Sequence, residues 1–243
     1  MGTSSRSLRG LIVGAVFASS AVATVVWCSS MASGMAMPGN WMMSMAWMRM
    51  PEQTWLGAAA SFICMWALMM IAMMLPAIAP VLLGHRRPLR VALAYFAVWT
   101  GVGAAIYPLG VALAMLEMRS NAVSRAVPIA SACVIVAAGA WQLTRSKLRA
   151  LARSRDRACC AIGRRPSGRD AWADGLRLGA RCVRCCAAPL AVLVAGGVMA
   201  ISVMAAVFVA ITAERWAARP RAVVRAAGVA AIVAGVGSAI GWR

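Results

Sequence analysis

Six long stretches carry no charged side chain at all: residues 11–48, 53–84, 91–116, 126–144, 185–213 and 226–242. Each approaches or exceeds the roughly 17 to 25 apolar residues that a helix needs to cross a bilayer. Inside hydrocarbon every backbone N–H and C=O must be satisfied within the chain, which leaves helices as the spanning structure for segments of this length. With 63% hydrophobic residues, 13% charged residues and a mean hydropathy of +0.79, no soluble surface could be built around such stretches. The fold class is therefore all-α: a polytopic helical membrane protein, with residues 1–243 forming a single membrane domain.

The net charge of +19 suggests a polyanionic partner until its distribution is considered. Arg6 and Arg9 precede the first apolar stretch, Arg86, Arg87 and Arg90 follow the second, and nine Lys or Arg lie between Arg145 and Arg169. Enrichment of Lys and Arg in cytoplasmic loops beside anionic headgroups accounts for this pattern. The aromatic interleaving of a nucleic-acid platform is missing. The expected partner is the lipid bilayer, with no nucleic acid.

The same basic residues orient the chain. With the N-terminus cytoplasmic, the open question is the segment 185–213, whose 29 residues would rise about 43 Å as one helix. That is long for one crossing of a ~30 Å core and short for two. A single crossing leaves seven basic residues outside: Arg49, Arg119, Arg125, Arg215, Arg219, Arg221 and Arg225. A turn at Gly196 and Gly197 leaves four: Arg49, Arg119, Arg125 and Arg243. The second arrangement fits the charge rule better and predicts seven membrane segments, with six as the alternative. They divide into a first span at 11–28, a Met-rich outer loop at 29–54, a three-helix half at 55–144, a basic cytoplasmic loop at 145–173 and a second half at 174–243. Arg6 and Arg9, the apolar stretch to Val26 and the small residues Ala32 to Gly34 resemble a secretory signal, while V-V-W-C lacks the small residue of a lipoprotein site before Cys28; of cleavage and retention, retention of the first span is the expectation. After that extra helix, two sets of three would run in opposite senses as an inverted repeat, an arrangement that places binding sites at the repeat interface. Pro76, Pro80 and Pro189 interrupt helices there.

Sulfur is concentrated in the same places. Met65, Met69 and Met73 follow i, i+4, i+8, and Met70 and Met74 form a neighbouring row. Residues four apart share a helix face, so these thioethers make a stripe about 12 Å long. The outer loop adds Met31, Met35, Met37, Met42, Met43, Met45, Met48 and Met50. Thioethers stay neutral at any pH and suit Cu(I), so a flexible loop of this kind can collect the ion. The alternative is that Met fills space against neighbouring helices.

Cys182, Cys185 and Cys186 stand in G-A-R-C-V-R-C-C. Read as a pair at a helix start beside Arg181 and Arg184, they would carry thiolate character and bind a soft metal or exchange disulfides. Cys64 precedes the methionine stripe and could add a thiolate at its entrance. Cys159 and Cys160 lie in the basic loop. His85, in G-H-R-R-P, is expected at the headgroups, and Glu214 is expected to pair locally with Arg215. The candidate metal ligands are thus Cys182, Cys185, Cys186, Cys64, Met65, Met69, Met70, Met73 and Met74. Copper as Cu+ is the expected metal, with zinc as the alternative.

The words M-W-A-L-M-M-I-A-M-M-L-P-A-I-A-P (65–80), W-Q-L-T-R-S-K (141–147), G-L-R-L-G-A-R-C-V-R-C-C (175–186), G-V-M (197–199) and E-R at Glu214 resemble the domain of unknown function 2182 family. The resemblance covers most of residues 55–236. It implies a bacterial, inner-membrane, metal-binding protein. The chain departs from that pattern at Arg145, where relatives carry Pro, at Ala150 and Ser154, where they carry Cys, and at Leu178, where they carry His. It also has Arg184 for Gly and Ala187 for Trp. The resemblance thus implies a changed site. The three-plus-three arrangement is also distantly similar to thiol-electron carriers of the cytochrome c biogenesis type, in which Cys64 and Cys185 or Cys186 would be counterparts.

Three functions follow. The first is Cu(I) transport or delivery, with a periplasmic or cytoplasmic metal chaperone as partner. The second is a transmembrane thiol-disulfide electron carrier, and the third a non-catalytic assembly or scaffold subunit. No phosphate-binding loop, serine elbow or H-E-x-x-H is present, and the six acidic residues form no carboxylate pair. An enzyme is therefore not expected, a thiol oxidoreductase excepted.

Overall fold

The computed structural model describes residues 3–31, 34–38, 41–50, 52–155 and 168–241. Within them the chain forms α1 (Thr3–Ser30), a short hairpin of β1 (Met35–Met37) and β2 (Trp41–Met43), a 3-10 turn (Met45–Trp47), α2 (Trp55–Gly84), α3 (Pro88–Arg119), α4 (Asn121–Gln142), α5 (Arg145–Arg155), α6 (Gly168–Gly196), α7 (Ile201–Trp216) and α8 (Pro220–Gly241). Six helices are long and apolar enough to cross a membrane: α1, α2, α3, α4, α6 and α8. The all-α polytopic fold read from the sequence is the fold observed. α7, at 16 residues, spans about 24 Å.

Local signals account for the boundaries. Thr54 caps α2, its Oγ1 accepting from Gly57 N at 3.1 Å, as N-cap hydroxyls do. Pro88 opens α3 at a position where a missing N–H is harmless. Ser120 ends α3 and caps α4, its Oγ accepting from Val123 N at 3.4 Å. Between α6 and α7 the chain reverses at Gly197, whose φ of +106° favours glycine. The apolar stretch 185–213 is therefore broken at the expected glycines.

Contacts sort the helix ends into two groups. At one end Arg9 Nη1 donates to the His85 carbonyl at 3.3 Å, joining the start of α1 to the end of α2, and Lys147 of α5 pairs with Glu214 near the end of α7. At the other end, Trp41 Nε1 donates to the Ser124 carbonyl at 3.0 Å and Ser124 Oγ to the Pro38 carbonyl at 3.1 Å, joining the hairpin to the start of α4. These are the basic end and the Met-rich end. α7 thus returns to the end from which α6 set out, and α2 to α4 and α6 to α8 run in opposite senses. Arg215 stands with the basic residues of α5.

Two expectations change. Among the described residues, the Met-rich segment holds a hairpin and a capped 3-10 turn rather than a flexible loop. The described residues of the stretch 145–173 are helical, as α5 and the start of α6. His85 is buried at the C-cap of α2. Its Nδ1 accepts from Arg87 N at 2.9 Å, and its Nε2 lies 3.9 Å from Asp174 Oδ2.

α2 is the central helix, with its methionine row and Phe62, Trp66 and Leu75 in the core. Phe62 stacks on Trp66 and meets Trp47 and Tyr107 at a tilt, at centroid distances of 5.9, 5.2 and 5.0 Å. α4 and α8 approach closely: a Cβ at Gly139 would lie 2.7 Å from the Gly228 carbonyl. Small residues at crossings are how membrane helices come into contact.

Candidate metal centre

The glycines of G-L-R-L-G-A-R-C set the position of α6. A Cβ at Gly179 would sit 2.9 Å from the Val98 side chain of α3, so only glycine lets the two helices pack this closely. One turn further on, Tyr95 Oη of α3 donates to Cys182 Sγ at 3.0 Å. From α7, Arg215 Nη2 donates to the same sulfur at 3.1 Å. From α2, Met74 Sδ lies 3.9 Å away, and from the next turn of α6, Cys186 Sγ lies 3.8 Å away. Four helices thus converge on Cys182, which is 3% exposed.

Cys185 occupies a neighbouring position with a different partner. Its sulfur is 3.8 Å from Ser154 Oγ of α5, one of the positions where the resemblance expects a cysteine. Its carbonyl is freed because Pro189, four residues on, has no N–H to close the helical bond. Lys147 Nζ donates to that carbonyl at 2.7 Å and pairs with Glu214 Oε2 at 2.7 Å. Gln142 Nε2 donates to Glu214 Oε1 at 2.7 Å. Thr144, capping α5 by accepting from Lys147 N at 3.3 Å, sets the turn that brings Gln142 and Lys147 to one carboxylate. A proline-freed carbonyl, a buried lysine and a buried glutamate so complete one another's hydrogen bonding, which groups at membrane depth require.

The arrangement corrects two local expectations. The cysteines are not at a helix start: α6 begins fourteen residues before Cys182, and the pair in contact is the i, i+4 pair Cys182 and Cys186. Arg181 and Arg184 are exposed, and the guanidinium on the sulfur is that of Arg215. Glu214 does not rely on its neighbour, because adjacent helical residues point about 100° apart; Lys147 and Gln142 take its carboxylate while Arg215 turns to Cys182. Tyr95, Arg215, Lys147 and Gln142 were not among the candidates. The available signals were Pro189 at four residues from Cys185 and ionisable groups bordering apolar stretches.

The candidate residues fall into three groups. Met65, Met69, Met70, Met73 and Met74 are all buried and line α2 towards Cys182, which Met74 touches. Cys182, Cys185 and Cys186 are buried at the end of that line. Cys64 is exposed, on the face of α2 turned away from the row and ten residues, about 15 Å, above Met74. Cys159 and Cys160 lie outside the described residues. Among the described residues, no group of three or more His, Cys, Asp or Glu forms a metal site; the set around Cys182 is two thiols and one thioether.

That set suits a soft ion. An ion about 2.3 Å from each of three sulfurs in a plane would hold them about 4.0 Å apart, close to the observed 3.8 and 3.9 Å. Arg215 sets a positive charge 3.1 Å from the Cys182 sulfur, where it would favour the thiolate form that a metal needs.

The PpoB2 family model, described as a copper chaperone, matches residues 63–238, more than two thirds of the chain. The metal-related character expected from the resemblance holds at that level, under this family's own name. The match takes in the α2 row, Cys182 and its partners, but not residues 31–50. No curated protein and no solved structure matches the chain.

Proposed function

This chain belongs to the PpoB2 copper chaperone family, and from that premise we propose that it is an integral protein of a bacterial inner membrane that binds Cu(I) and takes part in its transport or delivery. The ion is held by Cys182, Cys186 and Met74 and travels along the α2 thioethers. Copper is cargo here, and the protein catalyses no reaction. The observation that carries this reading is the contact of Met74 with Cys182, which joins a row of neutral thioethers to a thiol pair. Thioethers bind Cu(I) weakly and zinc less readily, so successive methionines let an ion move and thiolates retain it. Zinc, which takes four ligands in structural sites, is the less suitable cargo.

The basic end is placed in the cytoplasm, with the N-terminus, on the strength of its Lys and Arg excess. A cytoplasmic or periplasmic metal chaperone would exchange the ion there or at the opposite end. The test is the metal content of detergent-purified protein, prepared anaerobically with reductant, by elemental mass spectrometry. Wild type should carry copper that a Cys182→Ser, Cys185→Ser, Cys186→Ser variant loses. Equal copper in both, or none in either, overturns the reading.

A further inference from the structure

Six methionines from separate parts of the chain converge at the Met-rich end. Met31 follows α1, Met45, Met48 and Met50 come from the 3-10 turn and the residues after it, Met65 from the third turn of α2, and Met199 from the turn behind Gly197. Together they line a cavity of about 20 Å³, room for one particle the size of a water molecule. No Asp, Glu, Lys, Arg, His or Cys lines it; its polar side chains are Gln53 and Ser61, apart from the indole of Trp27. Trp27 Nε1 donates to Met31 Sδ at 3.2 Å, holding that thioether in place.

A space of this size walled mainly by thioethers gives a hard cation only the side-chain oxygens of Gln53 and Ser61 to replace its water shell, and offers protons no side-chain acceptor that titrates near neutrality. Its chemistry selects a soft monovalent cation. Met65 belongs both to the cavity wall and to the α2 row, so the cavity opens onto the first sulfur of the line that ends at Cys182.

We propose that this cavity is a loading site for Cu(I), formed by thioethers alone, from which Met65 passes the ion to the α2 row. The proposal rests on the copper reading of the Cys182 centre, but its residues are different and most lie outside the family match. The ion changes ligands without changing charge, so no electron donor or acceptor is involved. The site differs from the Cys182 centre in one measurable respect: thiols must lose protons to bind a metal and thioethers need not, so acid should empty one and spare the other.

The test uses the full chain in detergent with Ag(I), a redox-stable probe, and then Cu(I), at neutral pH and at about pH 5. A Cys182→Ser, Cys186→Ser variant should keep an acid-resistant equivalent of silver. Adding Met45→Leu, Met48→Leu and Met199→Leu should weaken that binding at least about tenfold, the volume-conserving change leaving the fold in place. In the unsubstituted chain, silver should slow peroxide oxidation of Met45, Met48 and Met199 several-fold by peptide mass spectrometry. The proposal is overturned if the Cys variant holds no acid-resistant silver, or if the leucines leave it unchanged and the three methionines are unprotected. Failure of the Cys182 reading is a separate result: wild type and Cys variant then bind equally at neutral pH.

Discussion

The two sulfur centres of this molecule differ in everything except sulfur. At the Met-rich end six thioethers surround a cavity that no charged side chain lines. At the basic end one thioether and two thiols meet a phenol and a guanidinium, and a buried Lys–Glu pair holds the carbonyl of the neighbouring Cys185. The contrast follows from the chemistry of the two donors. A thioether brings no charge into the membrane and so needs no counter-ion, whereas a thiolate must be matched by a cation held in place, and that cation needs neighbours of its own. A row of thioethers joins the two ends, from Met65 in the cavity wall to Met74 beside Cys182.

The comparison breaks most severely at Lys147. Lys147→Ala removes one half of a buried ion pair and the donor to the Cys185 carbonyl, and should lower stability by about 3 to 5 kcal/mol, read as unfolding in detergent. Replacing both partners, Lys147→Met with Glu214→Leu, should recover much of that loss. An unchanged Lys147→Ala protein would remove the pair from the account. Removing the thiols comes next. Cys182→Ser with Cys186→Ser should weaken Cu(I) binding at the basic end about a hundredfold, close to 2.8 kcal/mol, in competition with a chromogenic Cu(I) chelator at neutral pH.

Arg215→Gln keeps both thiols and removes the guanidinium from Cys182. A tenfold loss of Cu(I) affinity is expected, on the scale of other partners that support metal ligands, and Arg215→Lys should restore part of it. Equal affinity in all three proteins would mean that the thiolate charge is balanced elsewhere. The smallest effect on folding belongs to the row between the centres. Met69→Leu with Met73→Leu should change stability by less than about 1.5 kcal/mol and leave the copper content of the Cys182 centre intact, while slowing copper uptake into vesicles containing the protein. Undiminished uptake would show that the ion does not use the row.

The methionine row was legible because helical periodicity is enough to place i, i+4 and i+8 on one face, and an uncharged segment of 30 residues leaves no other structure open. Cys64, one residue before the row, shows the same geometry from the other side: a step of 100° turns it outward. The partners of Cys182 were not legible, because Tyr95 is 87 residues away and Arg215 33, and nothing local joins them. Met199 stands in the short word G-V-M, which carries no periodic signal, and its place in the cavity depends on a reversal that the positive φ of Gly197 makes.

By itself the sequence determined that this chain is a bundle of membrane helices, where it breaks, which way its basic loops are biased, and that a row of thioethers runs along one face of α2. These follow from one-dimensional quantities: hydropathy, charge, helical period and the positions of Pro and Gly. The tertiary structure alone decided that Cys182 and Cys186 meet Met74, that Arg215 rather than Arg181 or Arg184 faces the sulfur, and that Lys147, not Arg215, answers Glu214. Those pairings depend on how close two helices come and how each is rotated about its axis. Packing fixes both, through glycines such as Gly179 and through the need of every buried polar group for a partner.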